Sequence, residues 1–189
     1  MVSNILRIAL LSTALFLGPV ACQQLRGNIR LYQTNNMCDG SDGLWQCGNA
    51  SPGQCCSIGA TSFILSTNTQ LTSAPGGGRT THIIHGAQSG NLCAIVLNSD
   101  PACAKTSESM TAQGGSYSWR SNSAGRLRRG EDVEVAASAG EECLRPDTFH
   151  IVDGARTYVA AVDNTTISYV ASLDREAKLA WAKENGEAL

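Results

Sequence analysis

Cysteine constrains this chain more than any other residue. Eight occur: Cys22, Cys38, Cys47, Cys55, Cys56, Cys93, Cys103 and Cys143. Their meaning depends on what precedes them. Arg7 and the amino terminus supply positive charge, Ile8 to Leu17 form an apolar run, and Gly18-Pro19 ends it. Val20-Ala21-Cys22 then puts small residues at the −3 and −1 positions of a cut before Gln23. This pattern predicts a secretory signal over residues 1–22. The run falls short of the about 20 apolar residues that a membrane-spanning helix needs. Export places the cysteines in an oxidising compartment, where disulfides are the default. The cut at Gln23 leaves seven, an odd number, so three bridges and one leftover thiol are expected. None of them has the C-x-x-C spacing of a zinc site.

The remaining composition favours strands. Charged residues make up 16% of the chain and net charge is −2, with Arg7 the only charge in the leader. Such a balance gives no electrostatic case for nucleic acid or an anionic membrane. Ser, Thr, Gly and Asn are plentiful and prefer turns and extended segments to helices.

Short alternating stretches recur between turn signals. Asn28–Tyr32, Leu44–Cys47, Ser62–Ser66, Thr80–His85 and Leu92–Leu97 read as strands, with a flexible loop over Ala74–Gly78. Residues 104–125 hold little to bury apart from Tyr117 and Trp119. Beyond them, Val133–Val135, Thr148–Val152, Tyr158–Ala160 and Ile167–Val170 read as four more strands, with Asp153-Gly154 as a hairpin signal. One helix is expected, from about Ser172 to Asn185, with Leu173, Ala177, Ala180 and Trp181 on one apolar stripe that packs on the sheet.

Residues 28–103 contain one pattern twice. The first copy is Ile29–Tyr32, a polar turn with Cys38-Asp39-Gly40, and Leu44–Cys47. The second is His82–His85, the polar segment Gly86–Gly90, and Cys93–Leu97 followed by Cys103. This resembles the double Greek key of the βγ-crystallin superfamily, in its small cysteine-rich secreted fungal form. Tyr32, six residues before Cys38, approximates the aromatic corner of that family; the second copy has His85 there instead. The resemblance implies a disulfide-stapled Greek-key β-sandwich over residues 23–105. A Ser/Gly/Arg-rich loop (106–130) and a β-rich extension ending in a helix (131–189) would follow. It further implies that Cys38, Cys47, Cys55, Cys56, Cys93 and Cys103 form the three bridges, where a small core needs staples. Cys143 is then the unpaired thiol. Calcium binding in the family uses Asp or Asn a few positions before a Ser/Thr-Ser pair. Thr61-Ser62 fits that pair, but Ser57 and Ile58 stand at the ligand positions, so no metal is expected there.

Candidate chemistry is sparse. No H-E-x-x-H or G-x-S-x-G occurs. His82 and His85 are three apart on a strand and point to opposite faces, against a shared metal. Glu141-Glu142 and the three tryptophans have plain readings as solvated turn and core. No catalytic residue and no cofactor are expected. Asn49-Ala50-Ser51 and Asn164-Thr165-Thr166 are candidate glycosylation sites. Arg126-Leu127-Arg128-Arg129 has two open readings: a solvated loop, or a processing site cut after Arg129. The functional expectation is a secreted non-enzymatic β protein that binds an extracellular protein or cell-wall glycan, by analogy effector-like or antimicrobial. The alternative is a secreted hydrolase acting on cell-wall polysaccharide.

Overall fold

A computed structural model describes residues 25–34, 37–74, 77–107, 110–121 and 143–189. The expected leader, the expected strand at Val133–Val135, Glu141-Glu142 and the Arg126–Arg129 segment lie outside the described residues. The chain is mostly β, in two antiparallel sheets with two helices near the C-terminus. No helix of the described residues is long and apolar enough to cross a membrane.

β1 (Arg26–Tyr32) sits inside the larger sheet because its alternation works on both sides. Ile29 and Leu31 are fully buried while Arg30 points outward, to Gln46 and Gln70. It pairs antiparallel with β2 (Leu44–Ala50) and with β3 (Ser66–Ser73). β6 (Ala104–Lys105) extends the sheet beyond β3. On the other side β2 pairs with β8 (Thr148–Asp153), then β9 (Arg156–Ala161) and β10 (Glu187–Ala188) follow. The C-terminal part therefore completes the same sheet as the N-terminal part. The β8–β9 hairpin turns at Gly154 with φ +61°, the positive value that a type II′ turn takes at its first central position.

The smaller sheet has the order β5-β4-β7, with β4 at Gly78–Gln88, β5 at Asn91–Asp100 and β7 at Gly114–Ser121. The two strand–turn–strand copies seen in the sequence thus lie in different sheets. β4 and β5 join through Ser89-Gly90, both with positive φ (52° and 86°), as a two-residue type I′ hairpin requires. The polar segment expected to turn over Gly86–Gly90 is strand as far as Gln88.

β7 is a departure from the expected exposed loop. A Cβ on Gly115 would lie 2.5 Å from Thr67 Oγ1 and 2.8 Å from Leu31 Cδ2, so the backbone of β7 rests directly on β1 and β3. Tyr117 is fully buried beside it, and its hydroxyl donates to the Ala50 carbonyl at 2.8 Å. Burial pushes that hydroxyl's pKa up to about 12. A stretch with few large side chains is ordered here through close backbone packing and one aromatic anchor. Trp119 is only partly buried and covers Gly78.

The second departure is at the C-terminus. Ile167–Val170, expected as a strand, belongs to helix α1 (Asn164–Ser172). Asp163 is its N-cap and accepts from the backbone N–H groups of Thr165 and Thr166, which outweighs the β-branched residues that follow. A second helix, α2 (Arg175–Asn185), starts at its own cap, Asp174. It packs on β8 and β9 as expected, although its buried positions are Lys178 and Ala182 and Ala180 is exposed. The expected strand at Ser62–Ser66 shortens to a single bridge at Ile64, and β3 starts at Ser66.

Candidate functional site

The described cysteines fall into two bridges and one cluster. Cys38 bonds Cys103, tying the turn after β1 to the end of β5, and Cys47 of β2 bonds Cys56. Cys55 is in bonding contact with both Cys93 and Cys143. The three sulfur atoms lie within 4.8 Å of one another, and this trio is the only group of its kind among the described residues. Cys143, expected to stand apart in the second half, is therefore a neighbour of two of the six cysteines expected to form bridges.

Backbone pairing builds this cluster. Cys56 forms an antiparallel bridge with Gly115 and a parallel one with Leu144. Cys56 N–H donates to the Gly115 carbonyl at 2.8 Å, and Gly115 N–H donates back at 2.9 Å. Leu144 N–H donates to the Cys55 carbonyl at 2.8 Å and Ser57 N–H to the Leu144 carbonyl at 3.0 Å. The Cys55–Ser57 segment is thus held between β7 and the segment that carries Cys143 and Leu144. Cys93, near the start of β5, reaches the same point across Gly114, where any Cβ would collide with its sulfur. Cys55 and Cys93 are buried, and Cys143 is half-buried.

The positions considered for calcium are otherwise engaged. Ser57 is fully buried and donates to the Gln113 carbonyl at 2.5 Å, and Ile58 is part of the core.

A Ser–His contact missed in the sequence lies in the smaller sheet. His85 Nε2 and Ser116 Oγ share a hydrogen bond of 2.7 Å, and both side chains are buried. Among the described residues the His85 Nδ1 atom has no partner, and none of them orients the ring as an acid would in a catalytic triad. Burial alone lowers the His85 pKa to about 4. His82 and His150 are shifted down as well, first of all by desolvation. His85 and Ser116 are 31 residues apart, and no local sequence pattern links them.

These shifts fix a pH dependence. The unfolded chain binds a proton on His85 near the ordinary pKa of about 6.5, the native chain only near 4. The stability contributed by neutral His85 is complete above pH 6.5 and is lost as the pH falls towards 4. At 1.36 kcal/mol per pKa unit, this one group accounts for about 3 kcal/mol. Urea unfolding at pH 7.5 and pH 4.5 is expected to show the decline, and His85→Gln to flatten it. Equal slopes in variant and wild type would refute the assignment to His85.

The glycosylation candidates are both on the surface. Asn49 is exposed on β2 with φ +55°, and Asn164 is exposed at the start of α1. Exposed apolar side chains include Ile95 and Val96 on β5, a strand with no neighbour on its outer side among the described residues.

No curated protein matches the chain, and no solved structure matches it. One family model does, across both sheets and the three-sulfur cluster: residues 28–147 fit ARB_05566_N, an N-terminal domain, and the chain belongs to that family.

Proposed function

We propose that this chain is an exported, non-enzymatic β module that binds a partner outside the cell. The observation that carries the reading is the placement of all seven described cysteines in bridges or in the sulfur cluster. Disulfides at this density belong to oxidising compartments, and the apolar leader supplies the route. The location of the two strand–turn–strand copies in opposite sheets supports the βγ-crystallin-like reading, and with it, by analogy, an effector-like or antimicrobial role. Ile95 and Val96 on the outer strand β5 expose one apolar side chain on each face, beside backbone groups that face outward. The hydrolase alternative gains nothing from the Ser–His pair, since both groups are shut inside the core.

Expression of the full chain in a eukaryotic secretory host tests this. The medium is expected to contain a chain that starts at Gln23 with six of its thiols oxidised, carrying glycans at Asn49 or Asn164 that an N-glycosidase removes. Retention in the cell, or seven free thiols, would overturn the reading. Incubation of the secreted protein with cell-wall polysaccharide separates the two functional classes. Release of soluble sugar would favour the hydrolase, and binding without release would favour the non-enzymatic module.

A further inference from the structure

The three sulfurs of Cys55, Cys93 and Cys143 have more bonding partners than they can use at once. We propose that they form a thiol–disulfide exchange site in which Cys55 is the shared centre and one disulfide moves between Cys93 and Cys143. The proposal rests on the reading of an exported, oxidised chain.

Parity makes the site necessary in such a chain. Cys38–Cys103 and Cys47–Cys56 consume four of the seven cysteines that follow the leader. The remaining three can hold one bond and one thiol. Backbone bridges keep the odd sulfur beside that bond, with Leu144 N–H on the Cys55 carbonyl and Cys56 paired to Gly115. Exchange therefore needs no unfolding to bring the reacting atoms together. A metal ion is the other use of three cysteines, but it requires all three as thiolates and leaves no bond among them.

The step balances without an outside oxidant. The Cys143 thiol loses its proton, and its sulfur attacks the Cys55 sulfur. The Cys55–Cys143 bond forms as the Cys55–Cys93 bond breaks. The electron pair leaves on the Cys93 sulfur, which takes up a proton. One disulfide and one thiol are present before and after.

The two states differ in what they show to solvent. With Cys55 bonded to Cys93, the free thiol is Cys143, the half-buried member of the trio. With Cys55 bonded to Cys143, the free thiol is Cys93, which is 5% exposed. The first state presents a thiol able to attack the disulfide of an outside molecule, and the second hides it. The bond to Cys143 also ties the segment that leads into β8 to the Cys55–Ser57 segment.

The test is a peptide map of the secreted full chain. Free thiols are alkylated after incubation at pH 8, and the map is made without reduction. Two isomers are expected: Cys55–Cys93 with label on Cys143, and Cys55–Cys143 with label on Cys93. Cys38–Cys103 and Cys47–Cys56 should be common to both. Glutathione disulfide is the external probe and should form a mixed disulfide at Cys143. In Cys143→Ser the free thiol count should drop from one to none and the glutathione adduct should vanish. A single isomer with six paired cysteines would overturn exchange while leaving the exported, oxidised reading in place. Label on all seven would overturn both.

Discussion

Trp45→Ala is expected to lower the free energy of unfolding by about 3–5 kcal/mol, the range for removing a large aromatic side chain from a well-packed core. Trp45 is 1% exposed and stands where three elements meet. Its ring lies 4.7 Å, centroid to centroid, from Phe149 of β8, and Phe149 in turn meets Trp181 of α2 edge-on at 6.3 Å. Its indole N–H donates to Gln33 Oε1 at 2.8 Å, an oxygen that also accepts from the buried Lys178 ammonium at 3.3 Å. Burial already lowers the Lys178 pKa, with Asp42 and Asp174 opposing it. Truncation therefore opens a cavity between β2, β8 and α2 and weakens the polar contact that accommodates Lys178. Urea unfolding followed by the fluorescence of Trp119 and Trp181 measures the change. Trp45→Phe should recover part of it, because the packing contact survives while the hydrogen bond does not. A loss below about 0.5 kcal/mol, the scale of a surface substitution, would show that the site repacks and that Trp45 is not the joint between sheet and helix.

The second large effect is expected at the Cys38–Cys103 bridge. Its partners are 65 residues apart in sequence. In the chain-entropy model a crosslink of that span stabilises by about 4 kcal/mol, through its effect on the unfolded chain. The native geometry around it is prepared on both sides. Cys38 sits at φ +55° with its N–H donated to Ser66 Oγ at 3.2 Å, and Cys103 N–H donates to Asp100 Oδ1 at 2.8 Å. The double variant Cys38→Ser, Cys103→Ser should lower the thermal midpoint strongly while leaving the two-sheet circular-dichroism signature intact at 25 °C. An unchanged midpoint would mean that the bridge does not form or that the unfolded chain is compact without it.

Much of the fold was legible because its strands obey local rules. Ile29 and Leu31 alternate with polar neighbours, and Gly90 and Gly154 mark their hairpins, so β1, β4, β5, β8 and β9 could be placed from composition and period. Helix α1 was misread because Thr165, Thr166 and Ile167 are β-branched. The decisive residue was Asp163, whose capping carboxylate sits one position before the helix. β7 was misread for a different reason. Hydrophobic period counts side chains, and Gly114-Gly115 contributes by having none. The sulfur cluster was visible only as an odd number. Cys55 and Cys143 are 88 residues apart, and only the pairing of Cys56 with Leu144 shows that they meet.

The way the C-terminal strands complete the larger sheet bears on how the protein is made. β2 gains its outer neighbour only when β8 has been synthesised, and Gly48 finds the Asp147 carboxylate 99 residues along the chain. Contacts that span so much sequence close slowly, because loop entropy is lost before pairing returns it. Until then β2 is an open edge with Trp45 uncovered, a form prone to mispairing with other chains. The nine-residue link between Cys47 and Cys56 ties that edge early to the segment beside it, and the yield of correctly assembled protein should depend on the rate at which that short loop oxidises.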